Sequence, residues 1–221
     1  MVIITIFIEG GNLNDVTSGT ETLRESFRKL LTPESSTQQF RLIVEMRGPN
    51  NQTTKDFKNQ VVENPDLLIL LDLDDMPTEK QNKLTAWGLN EQESQVFLMI
   101  QAMESWILSQ LDCIEKFVTE NYVNPQRRKP EKILSEDDIL KDKVIQEIAK
   151  PDDKLNTILQ RYFFVEKRNK KKKIKYDSKI IDGAEMLGLL EIESLKATFP
   201  EVKRLTETLT NFINQPPTTH A

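Results

Sequence analysis

Three acids close the most apolar stretch of the chain, where Leu67-Leu68-Ile69-Leu70-Leu71 runs straight into Asp72-Leu73-Asp74-Asp75. Carboxylates gathered this closely repel one another and resist leaving water unless a cation sits between them. Mg²⁺ suits such a set, because it prefers hard oxygen ligands, keeps several waters, and needs few carboxylates once a substrate phosphate joins them. Glu9 follows a second apolar stretch, Val2-Ile3-Ile4-Thr5-Ile6-Phe7-Ile8, and precedes Gly10-Gly11. Glycines there allow a sharp turn and a close approach to a ligand. Glu104 comes just after a third apolar stretch at 95–100. The competing reading makes Asp72-Leu73-Asp74 the start of a polar turn and Glu9 a plain strand exit. It makes Glu104 an ordinary first-turn acid facing a helix dipole. That all the acids follow buried strands favours the metal site.

Other chemistries are scarce. The only histidine is His220, next to the last residue, and the only cysteine is Cys113. A Cys/His zinc site and a histidine-based triad therefore have almost no support. Cys113 lies among Leu111, Ile114 and Phe117 at helical spacing, as a small core residue would. A single cysteine also forms no internal disulfide, which fits a reducing cytoplasm. The apolar start is too short to span a bilayer, and it lacks the basic leader and cleavage site of a signal peptide. An enzyme built from this chain works with carboxylates, a lysine or a metal.

The elements that must position these acids follow from apolar patterning. Strands are expected at 2–8, 40–46, 67–71 and 95–100. Helices are expected at 20–31, within 49–64, within 75–87, and from 102 to about 118. This alternation implies βαβ units and a mostly parallel sheet of about four strands flanked by helices, an α/β domain over 1–121. Such sheets bind ligands outside the carboxyl ends of their strands. Strand alternation would point Asp72 and Asp74 the same way. Beyond residue 121 an α-helical C-terminal region, 122–214, is expected to pack on the first domain. Its helices fall at 135–149 (capped by Ser135), at 152–164, from 180 onward, and at 201–212. Residues 215–221 read as a disordered tail.

From Arg161 to Lys179 nine Lys and Arg stand against Glu166 and Asp177, in a chain of net charge -5. Arg168, Lys170, Lys171, Lys172, Lys173 and Lys175 form the dense part of this run. Such a patch on an acidic chain is the expected footprint of contact with a phosphate backbone, and equally the pattern of a solvated loop. Arg127, Arg128 and Lys129 make a fainter second patch. Aromatic residues interleave poorly with these cations, so base stacking on single strands has little support.

Ile6-Phe7-Ile8-Glu9-Gly10, followed about sixty residues later by Leu70-Leu71-Asp72-Leu73-Asp74, resembles the Toprim fold. That metal-binding module is shared by type IA and II topoisomerases, bacterial primases and the overcoming-lysogenization-defect nucleases. A second stretch, Met99-Ile100-Gln101-Ala102-Met103-Glu104-Ser105-Trp106-Ile107-Leu108, resembles a motif of short stand-alone bacterial Toprim-like proteins related to RloB-like abortive-infection proteins. The region 179–209, with Phe199-Pro200-Glu201-Val202, is also similar to that family. The resemblance implies Asp72 and Asp74 as metal ligands and Glu9 as ligand or general base. It implies Glu104 as a second ligand or a positioner of water and phosphate, and Lys179 as a lysine reaching the site. The topoisomerase pattern often carries a further acid at the position of Met76. Here Asp75 stands beside it instead, as an added candidate ligand, so the number of metals stays open.

What the resemblance implies is an Mg²⁺-dependent nuclease, with Mn²⁺ able to substitute, acting on DNA or RNA. Family members often sit beside an ABC-type ATPase gene, which implies a phage-defence effector with an ATPase partner protein. The alternative is a non-catalytic, Toprim-like binding or regulatory subunit that docks on the ATPase. A third reading is hydrolysis of a small phosphate ester. No sustained heptad bears on whether the chain forms an oligomer.

Overall fold

The structure is a computed structural model that describes residues 1–11, 17–34, 40–167 and 170–214. Strand β1 (Val2–Ile8), rich in β-branched residues, is buried at Ile4, Ile6, Phe7 and Ile8. It pairs in parallel with β2 (Phe40–Met46) on one side and with β3 (Leu68–Asp72) on the other. β3 pairs in parallel with β4 (Val96–Met99), giving the order β2-β1-β3-β4. All residues of β3 and β4 are buried, as a parallel sheet covered on both faces requires. The parallel α/β sheet and its four strands agree with the sequence reading to within a residue or two.

Helix α1 (Ser18–Leu31) links β1 to β2, and α2 (Asn50–Gln60) carries the chain back across β1 to β3. Connections therefore leave in opposite directions from the carboxyl ends of β1 and β3. Open α/β sheets bind ligands at such a divergence. Glu9 and Asp72 stand at those two ends. Helix α3 (Lys80–Trp87) follows β3, and after β4 come α4 (Met103–Leu108) and α5 (Leu111–Asn121). The sequence suggests one helix across the last two. It breaks at Gln110, whose backbone leaves helical geometry at φ −130° and ψ 78°, while its side chain exchanges two hydrogen bonds with the backbone of Glu191, Nε2 to the carbonyl at 3.0 Å and Oε1 from the N–H at 2.9 Å.

The C-terminal part contains α6 (Pro151–Tyr162), α7 (Ala184–Leu187), α8 (Ile192–Thr198) and α9 (Pro200–Asn214), with a π-helical turn at Lys179–Gly183 before α7. It packs on the sheet layer through α7 against α1, α6 against α4, and α9 against β4, within one continuous core. Arg204 of α9 bonds the backbone carbonyls of Glu93 and Val96 and stacks 4.1 Å over Phe97, covering the exposed edge at β4.

Two expectations for this part need correction. No helix forms at 135–149; only 3-10 turns occur there, Leu134–Glu136 and Ile145–Glu147. Asp137, which looks like a first-turn acid, is fully buried. Arg161 grips both its oxygens, at 2.7 and 2.6 Å, and the Ile139 N–H donates to it at 3.0 Å. Drawn into the core by Arg161, Asp137 cannot sit on the solvent-facing first turn that a helix from 135 would need. The helix expected to reach 164 stops at Tyr162, where β6 (Phe163–Lys167) begins. β6 lies between β5 (Gln126–Arg127) and β7 (Lys170–Lys173) in a small antiparallel sheet that the helical reading omitted. Arg168 and the tail at 215–221 lie outside the described residues. Among those described, no helix is long and apolar enough to cross a membrane.

Candidate functional site

The chain turns at once after β1. Gly10 takes φ 110°, a conformation that side-chain-bearing residues rarely adopt, and its N–H donates to the Gly48 carbonyl at 2.8 Å. Glu9 is left facing β3, where its Oε2 accepts from the Asp72 N–H and from Asn50 Nδ2 of α2, both at 3.1 Å. The ends of β1, β3 and α2 are thereby tied to one carboxylate.

Asp72 ends β3 and is 8% exposed. Its Oδ1 accepts from the Met103 N–H at 3.2 Å, in the first turn of α4, and its Oδ2 meets Lys179 Nζ at 2.5 Å. Glu104, 4% exposed, accepts from the Tyr176 hydroxyl at 2.7 Å. Glu104 shares its burial with the whole of α4, and its link to the other acids is Lys179, whose charge acts on Glu104, Asp72 and Glu9 together. Burial and the nearby Asp72 charge raise the Glu9 carboxyl to about 7. Burial raises Glu104 as well, against the opposing pull of Lys179 and Tyr176. Burial alone would lower the Lys179 ammonium, but Asp72, Glu104 and Glu9 outweigh it and hold it above the ordinary lysine value. One cation thus serves three buried or half-buried acids.

Asp74 departs from strand geometry. It adopts φ 52°, and its N–H donates at 2.7 Å to the carbonyl of Gln101, itself at φ 62°. Two left-handed, non-glycine residues therefore meet where β3 and β4 end. The strand alternation expected to align Asp72 with Asp74 is lost, leaving Asp72 buried and Asp74 exposed at the rim. Surrounding protein and the Asp72 charge raise the Asp74 carboxyl. Asp74, Gln101, Glu104, Lys150 and Asp152 line a cleft of about 480 Å³ beside the buried acids. Asp75 turns away, pairing with Lys83 at 3.7 Å and accepting from the Met76 N–H at 2.9 Å.

The structure thus gathers Glu9, Asp72, Glu104 and Lys179, with Asp74 at the rim and Asp75 aside. Among the described residues, no three acidic, His or Cys side chains are drawn together tightly enough to form a ready-made metal cage. The donor set nevertheless suits Mg²⁺, which takes one or two carboxylates and completes its shell with water and substrate phosphate. All the candidate donors are carboxylate oxygens, and Glu9 and Asp72 are near enough for the Asp72 charge to help raise the Glu9 carboxyl, a repulsion a cation between them would relieve. Tyr176 and Asn50 escaped the sequence reading, since neither sits at a spacing that marks it. Cys113 is buried, and burial pushes its thiol up to about 12, as befits a core residue rather than a nucleophile. Met103 and Trp106 are likewise wholly buried. Lys170 to Lys173 and Lys175 are exposed and do not join the carboxylates.

Two predictions arise here. Between the ordinary glutamate value of 4.5 and about 7, folded Glu9 holds a proton that the unfolded chain has released. The Glu9 contribution is therefore full below 4.5, declines as pH rises toward 7, and is gone above it. Thermal melts across that window should fall less steeply for Glu9→Gln than for the wild type; parallel curves would contradict the shift. Gly183 packs so closely that an added Cβ would lie 2.5 Å from the Tyr176 hydroxyl and 2.8 Å from Met103 Cε. Gly183→Ala should displace Tyr176 from Glu104 and cost about 1–3 kcal/mol in urea unfolding. An unchanged midpoint would show that the pocket yields freely.

Comparison with protein-family models, with curated proteins and with solved structures finds no match for this chain.

Proposed function

We propose that this chain is a Toprim-like, divalent-metal-dependent phosphodiesterase that hydrolyses nucleic acid. More particularly, it is a cytoplasmic effector of phage defence of the abortive-infection type, working with an ABC-type ATPase partner. The observation that carries the chemistry is the meeting of Glu9, Asp72 and Glu104 around Lys179, at the point where the connections of β1 and β3 diverge. The biological setting rests on the motif resemblance alone.

Asp72, Glu9 and Asp74 are the residues that would hold Mg²⁺ or Mn²⁺, with Glu104 available as a further ligand. A bound metal would polarise the phosphoryl group, ease formation of hydroxide and stabilise the leaving oxygen. Glu9 would act as ligand or as general base, not as both at once: with the metal held by Asp72 and Asp74, its carboxyl, raised to about 7, can take a proton from water at neutral pH. Lys179 remains cationic and can offer its ammonium to a non-bridging phosphate oxygen. Tyr176 fixes Glu104, and Asn50 fixes Glu9, so neither acid must be ordered when substrate arrives.

A second reading, a non-catalytic subunit docking on the ATPase, draws support from the Lys179–Asp72 pair, which already neutralises the central acid without a metal. Calorimetric titration of Mg²⁺ and Mn²⁺ separates the two. The nuclease reading expects saturable binding that is lost in Asp72→Asn/Asp74→Asn, together with Mn²⁺-dependent hydrolysis of DNA or RNA. Binding unaffected by the double substitution would end that reading. A partner affinity that survives it, without hydrolysis, would favour the docking subunit.

A further inference from the structure

The lysine-rich stretch takes no part in the carboxylate site, yet it forms an ordered surface. β7 consists of four consecutive lysines, all exposed, and β6 adds Lys167 opposite Lys170. Phe164 pairs with Lys173 and Glu166 with Lys171, so Lys171 and Lys173 share the face of Phe164. Lys170 and Lys172 project from the other face with Lys167 and Val165. Arg128, beside β5, comes within 5.3 Å of the Phe164 ring centre, and Lys171 within 4.9 Å. The ring is 4% exposed beneath these cations.

None of Lys170, Lys171, Lys172, Lys173, Lys175 and Arg128 has an ion-pair partner among the described residues, whereas Arg127, Arg161 and Lys179 each do. Lys167 and Lys170 are like charges placed directly opposite each other, and Lys171 and Lys173 share one face; such placement costs stability that a phosphate polymer would relieve. Edge lysines also discourage strands from adding to a free sheet edge. That role needs charge of either sign, which gives the test its leverage.

The neighbouring side chains narrow the polyanion. Phe163 and Phe164 are 5% and 4% exposed, so they provide neither a platform for stacking bases nor an apolar wedge for lipid. What remains is backbone contact with a duplex. Beyond Phe164, where pairing with β5 ends, β6 and β7 continue as a two-stranded antiparallel ribbon; such a ribbon fits the major groove of B-form DNA, while the deep, narrow groove of A-form RNA excludes it. We propose that the β6–β7 ribbon is a sequence-independent docking surface for the phosphate backbone of double-stranded DNA. Past Lys173 the chain buries Ile174, places Tyr176 on Glu104, and delivers Lys179 to Asp72. The strand that holds the duplex thus leads directly into the acids. As a route to cleavage this rests on the nuclease reading, but as a binding surface it stands without it.

The test is fluorescence anisotropy of the full chain with a labelled 30-base-pair duplex of arbitrary sequence, in EDTA, at several salt concentrations. With about four phosphates engaged, log K should fall against log salt with a slope of about −3 to −4. Lys170→Glu/Lys172→Glu and Lys171→Glu/Lys173→Glu should each weaken binding about tenfold or more and flatten the slope by about 2. Lys55→Glu/Lys143→Glu, an equal charge change at exposed sites elsewhere, should leave both nearly unchanged. Equal losses in all three variants would reduce the effect to net charge and overturn the proposal. So would unchanged binding in the ribbon variants, or tighter binding to single strands or duplex RNA. Repeating the duplex titration with Asp72→Asn, beside a calorimetric titration of Mg²⁺ into the same variant without EDTA, separates the two readings. Full duplex affinity with metal binding lost upholds both. Ribbon-dependent affinity alongside undiminished metal binding overturns only the metal assignment.

Discussion

On the proposed nuclease reading, Asp72→Asn should lower Mg²⁺ affinity by more than about 100-fold and remove divalent-dependent hydrolysis, while the chain still folds. The amide keeps an oxygen that can accept from the Met103 N–H, so the junction of β3 with α4 retains its hydrogen bond. What disappears is the charge and the acceptor facing Lys179, because the amide NH₂ takes the place of Oδ2 and cannot accept from the ammonium. The lysine still has Glu9 and Glu104 as charged neighbours, and Glu9 in turn loses the repulsion of Asp72. We therefore expect a modest cost of about 1–3 kcal/mol, below the range for fully orphaning a buried ion. Urea unfolding with and without millimolar Mg²⁺ provides the readout. The metal should stabilise the wild type and leave the variant unmoved. Equal stabilisation of both, with hydrolysis intact, would remove Asp72 from the metal site.

Lys179→Met should destabilise more strongly, by about 3–5 kcal/mol at pH 7, because it leaves Asp72, Glu104 and Glu9 with no cation among them. Two consequences distinguish this from a simple packing defect. Lysine holds the Glu9 and Glu104 carboxyls down, so its loss should raise both further. The folded variant would then keep protons that the unfolded chain releases, and its stability should fall more steeply than that of the wild type as pH rises from 5 to 8. Added Mg²⁺ should also restore more stability to the variant than to the wild type, since the metal supplies the missing charge; a tenfold gain in affinity corresponds to about 1.4 kcal/mol. Hydrolysis should nevertheless stay about 10²–10³-fold down at saturating metal if the ammonium contacts the phosphate. A variant with the wild-type response to pH and to Mg²⁺ would show that Lys179 does not govern these acids.

Much of the sheet was legible because its strands are short, continuous apolar runs bounded by turn signals, a local pattern. Parallel connection then places every strand's carboxyl end on one edge, so Glu9, Asp72 and Glu104 could be assigned to a common site from order alone. Side-chain alternation misled at Asp74, whose left-handed backbone is set by its bond to Gln101 on the neighbouring strand end. The helix expected at 135–149 failed at Asp137 for a similar reason. Its partner, Arg161, is 24 residues away, and no local signal separates a buried acid from a capping one.

The lysine stretch shows the division most sharply. Lysine has little preference for strands, so composition left open a phosphate-binding patch or a solvated loop and gave no sign of a strand. β7 forms because Phe163 and Phe164 bury β6 and offer it an edge, a pairing decided by tertiary context. The arrival of Tyr176 at Glu104 and of Lys179 at Asp72 depends on that hairpin and on the bare backbone of Gly183. The sequence by itself determined the parallel α/β core and which edge of it carries the acids, because hydrophobic periodicity is local. The tertiary structure alone decided which cation meets those acids and how the lysines are displayed, because such contacts join residues far apart in the chain and are fixed only when the core closes.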